Sequence, residues 1–432
     1  MAGPVMDAAC VTYEGVSHEI ETFPRTEEDV WILGKRYNIL QGDMGYLNTD
    51  VRSRIWLTYR KNFPKIGGTG PTTDSGWGCM LRCGQMMLAQ ALVCRHLGRD
   101  WQWDPENNTT PEYMQILEAF LDKKDSLYSI HQIAQMGVSE GKAVGSWFGP
   151  NTVAQVLKKL SAFDDWSSLC LHVAMDNTVI IEDIKKLCRV GMPKRTCGET
   201  SCYNCTTSSS AEAEPSLRHR SHHKEYSATS PKRHKHSDRR RPCNPSWRPL
   251  VLFIPLRLGL TEMNVVYNEP LKACFTFKQS LGIIGGRPNH ATYFIGYFGN
   301  NLVYLDPHTT QQTVNPDELS RIPDGSFHCV YPCRMNIADV DPSVALGFFC
   351  KSEEDFDDLC QQIQKVHEEK IIDGKSRPMF EIAKDRPQHW PVLEIPTRPC
   401  DELNSSCQSD FTELTYEDED RAYDTDGEYE IL

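Results

Sequence analysis

Cys79 is the residue whose surroundings most suggest chemistry. It lies in Ser75-Gly76-Trp77-Gly78-Cys79-Met80-Leu81-Arg82-Cys83-Gly84-Gln85, with glycines just ahead of it and an apolar run, Met86 to Val93, behind it. A run that is apolar on nearly every side predicts a helix buried all round. Gly98 follows Leu97 where a left-handed residue commonly ends a helix. Cys79 to Leu97 is therefore expected to form one central helix, with Cys79 in its first turn. The thiolate is the nucleophilic form of cysteine, and the positive end of a helix dipole favours it. The competing reading is an ordinary core cysteine, because free cysteine is often buried. A partner imidazole decides between them.

Two histidines are candidates for that partner. Gly299-Asn300-Asn301 separates two apolar or aromatic stretches, Ala291 to Phe298 and Leu302 to Leu305, a hairpin signal. His290 precedes the first strand, and Asp306-Pro307-His308 closes the second. Residues two apart in extended chain face one side, so Asp306 is placed to bond His308 and set its tautomer. His290, at the start of a strand with a polar residue ending the next, is equally sensible chemically. Spacing alone leaves the two histidines level, with Asp306 orienting either. His96, His131, His172 and His328 lack such neighbours and read as surface or core histidines.

The elements that must hold these residues can be read in outline. Val30 to Leu33 and Lys35 to Ile39 flank Gly34 like a bent strand or hairpin, and Val51 to Phe63 places Val51, Ile55, Trp56 and Tyr59 at helical spacing. Pro64, Gly67, Gly68, Gly70 and Pro71 make a loop leading to Cys79. Helices are expected over Pro111–Leu121, Ser129–Met136, Asn151–Leu160, Val179–Leu187 and Glu353–His367, the last capped by Ser352. Leu169–Met175, Val251–Ile254, Phe277–Leu281 and Val344–Cys350 read as strands. Gly137 to Gly149 is a glycine-rich connection holding Trp147 and Phe148.

With 432 residues the chain exceeds one average domain. The expected division is a flexible arm (1–24), a first catalytic part with the nucleophile helix (25–190), a disordered basic Ser/His/Arg-rich insertion (191–249), a second catalytic part with the Asp/His hairpin (250–392) and an acidic disordered tail (393–432). The net charge of −13 is mostly in that tail: Asp401 to Leu432 holds twelve carboxylates against Arg421, leaving about −2 elsewhere. A near-neutral folded part argues against nucleic acid as a ligand. No basic, apolar leader or uninterrupted apolar span is evident, which argues against a signal peptide or spanning helix. Seventeen irregularly spaced cysteines then point to reduced thiols in the cytosol. Cys197, Cys202, Cys205 and Cys243 were weighed as a zinc site, but the second pair lacks ligand spacing and reduced thiols in a loop are the simpler reading.

Taken together, Tyr59-Arg60-Lys61-Asn62-Phe63-Pro64, Gly67-Gly68-Thr69-Gly70, Gly76-Trp77-Gly78-Cys79-Met80-Leu81-Arg82, Gly149-Pro150-Asn151-Thr152, Gly285-Gly286-Arg287-Pro288-Asn289 and Tyr304-Leu305-Asp306-Pro307-His308-Thr309-Thr310-Gln311 resemble the autophagins, the autophagy cysteine proteases. The match runs from about Phe23 to Ile382, skips the insertion, and is nearest the B-type animal enzymes. The resemblance implies an α+β, papain-like fold with a small extra subdomain and disordered termini. It implies cleavage after the C-terminal glycine of ubiquitin-like autophagy modifiers, both as precursors and as conjugates of phosphatidylethanolamine. Cys79 would be nucleophile, His308 base and later acid, Asp306 its orienting carboxylate, and Tyr59 an oxyanion donor with the Cys79 amide. Trp147 and the loop around Pro288 would cover a cleft that admits only a thin glycine-ended tail.

Cys83, four residues beyond Cys79, would lie on the same helix face, where redox control or a buried structural thiol are the alternatives. Tyr429-Glu430-Ile431-Leu432, after Asp424, Asp426 and Glu428, resembles an aromatic-x-x-aliphatic motif that adds a strand to the modifier, Tyr429 and Leu432 filling two pockets. Phe411 to Leu414 and Tyr13 to Val16 fit the same loose pattern. The partners expected are free and lipid-conjugated modifiers, with transient membrane-surface association through the substrate, in a cytoplasmic monomer. The chemistry needs no metal and no cofactor. A papain-like deubiquitinase or general peptidase, and a catalytically idle modifier-binding protein, are the rival functions.

Overall fold

The structure is a computed structural model and describes residues 23–106, 110–190, 246–315, 322–371, 378–387 and 389–390. Residues 1–22 of the expected arm, nearly all of the insertion and the acidic tail, with Tyr429 and Leu432, lie outside the described residues, while Phe23, at the arm's end, is buried against Phe298 and belongs to the folded part. Residues 1–189 and 247–432 form one compact unit, and Val190–Ser246 a second of which almost nothing is described.

The core of the first unit is a nine-stranded sheet. Its strands are β1 (Val30–Ile32), β2 (Lys35–Tyr37), β3 (Cys170–Val173), β4 (Leu250–Arg257), β5 (Ser280–Arg287), β6 (His290–Phe298), β7 (Asn301–Leu305), β8 (Cys333–Asn336) and β9 (Ser343–Cys350). The order is β8-β7-β6-β5-β9-β4-β3, with β1 also paired to β6 and β2 to β1. All pairs are antiparallel except β3 with β4.

Both faces of the sheet are covered, which explains why its strands read as unbroken apolar runs. Side chains along a strand alternate between faces. In β4, Val251 and Phe253 join one core while Leu250, Leu252, Ile254 and Leu256 join the other; in β9, Ala345 and Phe349 oppose Val344, Leu346, Phe348 and Cys350. The first core holds α2 (Cys79–His96), preceded by α1 (Met44–Arg52) and followed by α3 (Pro111–Ala119), α4 (Ile130–Gly137) and α5 (Pro150–Ser161). The second core includes side chains of α6 (Ile181–Cys188), α7 (Asn268–Cys274) and α8 (Glu353–Ile371).

Every residue of α2 from Cys79 to Val93 is buried, as the apolar run predicts, and Gly98 at φ +90° ends it. Gly347 in β9 lets the helix approach: a Cβ there would lie 2.3 Å from Met87 Sδ. The expected helix spacing in 51–63 does not survive. The helix there is α1, which ends at Arg52, and the chain then runs extended to Lys61. Ile55 and Tyr59 are buried through that extended path and not on a helix face. The strand expected at Phe277–Leu281 begins only at Ser280 and continues to Arg287, because the loop before it caps α7. Among the described residues no helix is long and apolar enough to cross a membrane.

Candidate active site

Cys79 is the first residue of α2 and fully buried. The turn before it is fixed by Asp74, whose carboxylate accepts from the Arg60 amide at 2.7 Å and pairs with Arg82 Nε at 2.7 Å. Gly78 must be glycine, since a Cβ there would lie 2.4 Å from Asp74 Oδ2. Arg82, wholly buried, also pairs with Asp122 at 2.9 Å. The start of the helix is thus held by a charge network with no solvent to replace it.

The hairpin brings the imidazole. Turn Gly299–Asn300 joins β6 to β7, and beyond Leu305 the His308 amide and Nδ1 lie 3.0 and 2.5 Å from Asp306 Oδ1. Trp56 Nε1 donates to the Asp306 carbonyl at 2.7 Å, fixing the corner from α1's side of the chain. Gln311–Gln312 pairs in parallel with Arg60–Lys61, so the segment leading towards Cys79 is stitched to the segment bearing His308.

Burial pushes the Cys79 thiol up, but the hydrogen bond and charge of His308, the Ala291 amide and the Tyr59 hydroxyl outweigh it and hold the thiol below its ordinary value. Burial lowers His308, yet Asp306 and then Cys79 raise it to about 9. Burial opposes and His308 favours the Asp306 carboxylate, which ends below its ordinary value. The net direction is a thiolate beside an imidazolium, the charged form a thiol nucleophile requires.

Tyr59 lies where an oxyanion donor is needed. Its ring meets that of His308 at 87°, centroids 5.4 Å apart. Its hydroxyl hydrogen-bonds the Cys79 sulfur and accepts from the Gly76 amide, and burial followed by the charge of Cys79 keeps it firmly protonated. Pro288 is exposed in the two-residue turn between β5 and β6, with Asn289 at φ +59°. Trp147 is 37% exposed in the connection before α5, while Phe148 beside it is fully buried against Gly137. Cys83 is a buried free thiol driven well up by burial and then by Cys79 and Asp306.

His290 is not distant from the site: its ring stacks on His308 at 3.6 Å and 4°. Polar atoms of His290, Asp306 and His308 lie within 4.8 Å of one another. Parallel rings hold their in-plane lone pairs in two separate parallel planes, and Asp306 occupies His308 Nδ1, so the rings do not turn their nitrogens to one shared point. Three further described histidines have structural partners. His131 Nε2 donates to the Pro64 carbonyl at 2.6 Å, His328 bridges Tyr113 and Arg52, and His96 stacks on Trp166. Burial, then Lys158 and Arg386, lowers His172 to about 3. Sequence reasoning missed the Ala291 amide and Trp56. A main-chain donor leaves no side-chain signature, and Trp56 acts on a residue 250 positions away.

The family model for the Peptidase C54 catalytic domain matches residues 45–362. The chain is 52% identical to the cysteine protease ATG4B of Gallus gallus, over 97% of this chain and 99% of that one. It is 50% identical to the cysteine protease ATG4B of Xenopus laevis over 99% and 100% of the two chains, and 51% identical to the cysteine protease ATG4A of Gallus gallus over 95% and 98%.

Proposed function

The chain belongs to the peptidase C54 family, the autophagin cysteine proteases, and from that premise we propose that it cuts after the C-terminal glycine of ubiquitin-like autophagy modifiers, maturing their precursors and releasing them from phosphatidylethanolamine. The observation that carries the reading is Cys79 at the positive end of a buried helix beside an imidazole held by Asp306.

In the proposed reaction the Cys79 thiolate attacks the carbonyl carbon of the terminal glycine. The oxyanion is received by the Tyr59 hydroxyl and the Cys79 amide. His308 gives its proton to the departing amine as the C–N bond breaks, leaving a thioester. His308 then takes a proton from water, whose attack breaks the thioester C–S bond, restores the thiolate beside the imidazolium and releases the carboxylic acid, which loses its proton to solvent. Trp147 and Pro288 are proposed to wall and gate a channel too narrow for side chains at the cut position. Tyr429 and Leu432 are proposed to add a strand to the modifier. Membrane contact is then transient and made by the lipid-bearing substrate, the enzyme acting as a cytoplasmic monomer.

The test is precursor cleavage by full-length protein and by Cys79→Ala, His308→Ala and His290→Ala. Loss in the first two is expected, and in the third turnover that persists at a reduced rate. Cleavage of ubiquitin precursors alone would replace the reading with a deubiquitinase; modifier binding with no thiol-directed labelling of Cys79 would replace it with an idle binder.

A further inference from the structure

His290 lies against His308, and the proposed reaction does not use it. Its ring lies face to face with that of His308, centroids 3.6 Å apart and planes 4° from parallel. Two neutral aromatic rings avoid a centred sandwich, because their negative faces oppose each other. The same geometry becomes favourable when one ring is a cation, which the face of the other attracts. His308 is the ring that Asp306 and Cys79 charge.

The hydrogen bond to Asp306 leaves a further freedom. A carboxylate acceptor tolerates some twist of the imidazole about its Cβ–Cγ bond, which would carry Nε2 away from the sulfur. Tyr59 meets the ring at 87° and offers no parallel face. His290 offers one. It is held there by the β5–β6 hairpin, in which His290 pairs with Arg287 across the Pro288–Asn289 turn, and its neighbour Ala291 gives its amide to the Cys79 sulfur.

Resting on the proposed assignment of Cys79 and His308, we propose that His290 is a positioning residue, a π-plate that stacks on the His308 imidazolium and holds its plane towards Cys79. It touches no reacting atom and acts through His308. The charged or titratable groups facing His308 are Asp306, Cys79, Tyr59 and His290 itself.

The test compares His290→Phe, His290→Leu and His290→Ala in the full-length chain, with His308→Ala as control, on a modifier carrying a reporter after its terminal glycine. Phenylalanine keeps the π face, leucine keeps only bulk. We expect His290→Phe to turn over near the unmodified rate, and both other variants to lose about three- to thirtyfold in kcat with KM little changed. In those two the alkaline limb of the kcat profile moves down by about half a pH unit or more. Equal rates for Leu and Phe, or an unmoved alkaline limb, would overturn the plate. Abolished cleavage in all three His290 variants would also overturn it, making His290 the base. Full activity of His308→Ala would instead remove the assignment of His308 on which the inference rests.

Discussion

The Tyr59 amide donates to the Pro307 carbonyl at 2.8 Å, and the Gln311 amide donates back to the Tyr59 carbonyl at 2.9 Å. Tyr59 is therefore zipped to the residue between Asp306 and His308, and its ring and theirs move as one. An oxyanion donor gains its effect from being aimed before the charge develops. Main-chain bonds to the Asp-Pro-His corner supply that aim without help from substrate.

Tyr59→Phe should keep the fold, since only a hydroxyl is lost, and should lower kcat about 10²- to 10³-fold, the usual effect of removing one oxyanion donor. Steady-state cleavage of a modifier precursor, alongside circular dichroism, is the measurement. A change confined to KM would place the hydroxyl in substrate binding.

The pH behaviour of thiolate formation should differ from that of turnover. Cys79 is held below its ordinary value, so alkylation by iodoacetamide should be well advanced before pH 8.5, roughly where a free thiol is half ionised, and should stay flat above it. Cleavage also needs the His308 proton for the leaving amine, so it should fall as pH rises through about 9. Rates that both climb together through the ordinary thiol range would contradict a preformed ion pair.

Asp306→Asn removes the carboxylate that does most to raise His308. The imidazole should fall back towards its ordinary value near 6.5, which at pH 8 depletes imidazolium roughly tenfold or more. Turnover at pH 8 should drop accordingly and partly recover at pH 6.5. An unshifted alkaline limb would mean that Asp306 orients His308 without charging it.

Arg82→Ala leaves Asp74 and Asp122 buried without their shared cation. Breaking such a pair typically costs about 3–5 kcal/mol. A matching fall in denaturation midpoint is expected in urea titrations, with Cys79 alkylation slowed because the first turn of α2 loosens. Unchanged stability would show that water reaches the network.

The legible parts of the molecule were those with local causes. The central helix was predicted over Cys79–Leu97 and spans Cys79–His96, because an apolar run and a terminal glycine act within a few turns. The β6–β7 hairpin followed from a short glycine–asparagine turn between two apolar stretches, and the period of extended chain allowed Asp306 to meet His308 without choosing it over His290. Residues 51–63 misled, because only Val51 lies on a helix, while Ile55, Trp56 and Tyr59 meet partners far along the chain and not one helix face.

From residue types and their order alone came a nucleophile at a helix start, a short list of imidazoles and a family likeness, since propensity, turn chemistry and spacing are properties of neighbours. Packing had to settle the rest. Whether His290 or His308 turns Nδ1 to Asp306, that an Ala291 amide reaches the sulfur, and that one histidine lies flat upon the other depend on how two ends of the chain meet across a sheet. The Ala291–Cys79 contact joins residues more than two hundred positions apart, and the energies of all three exist only once water has been excluded from between the partners.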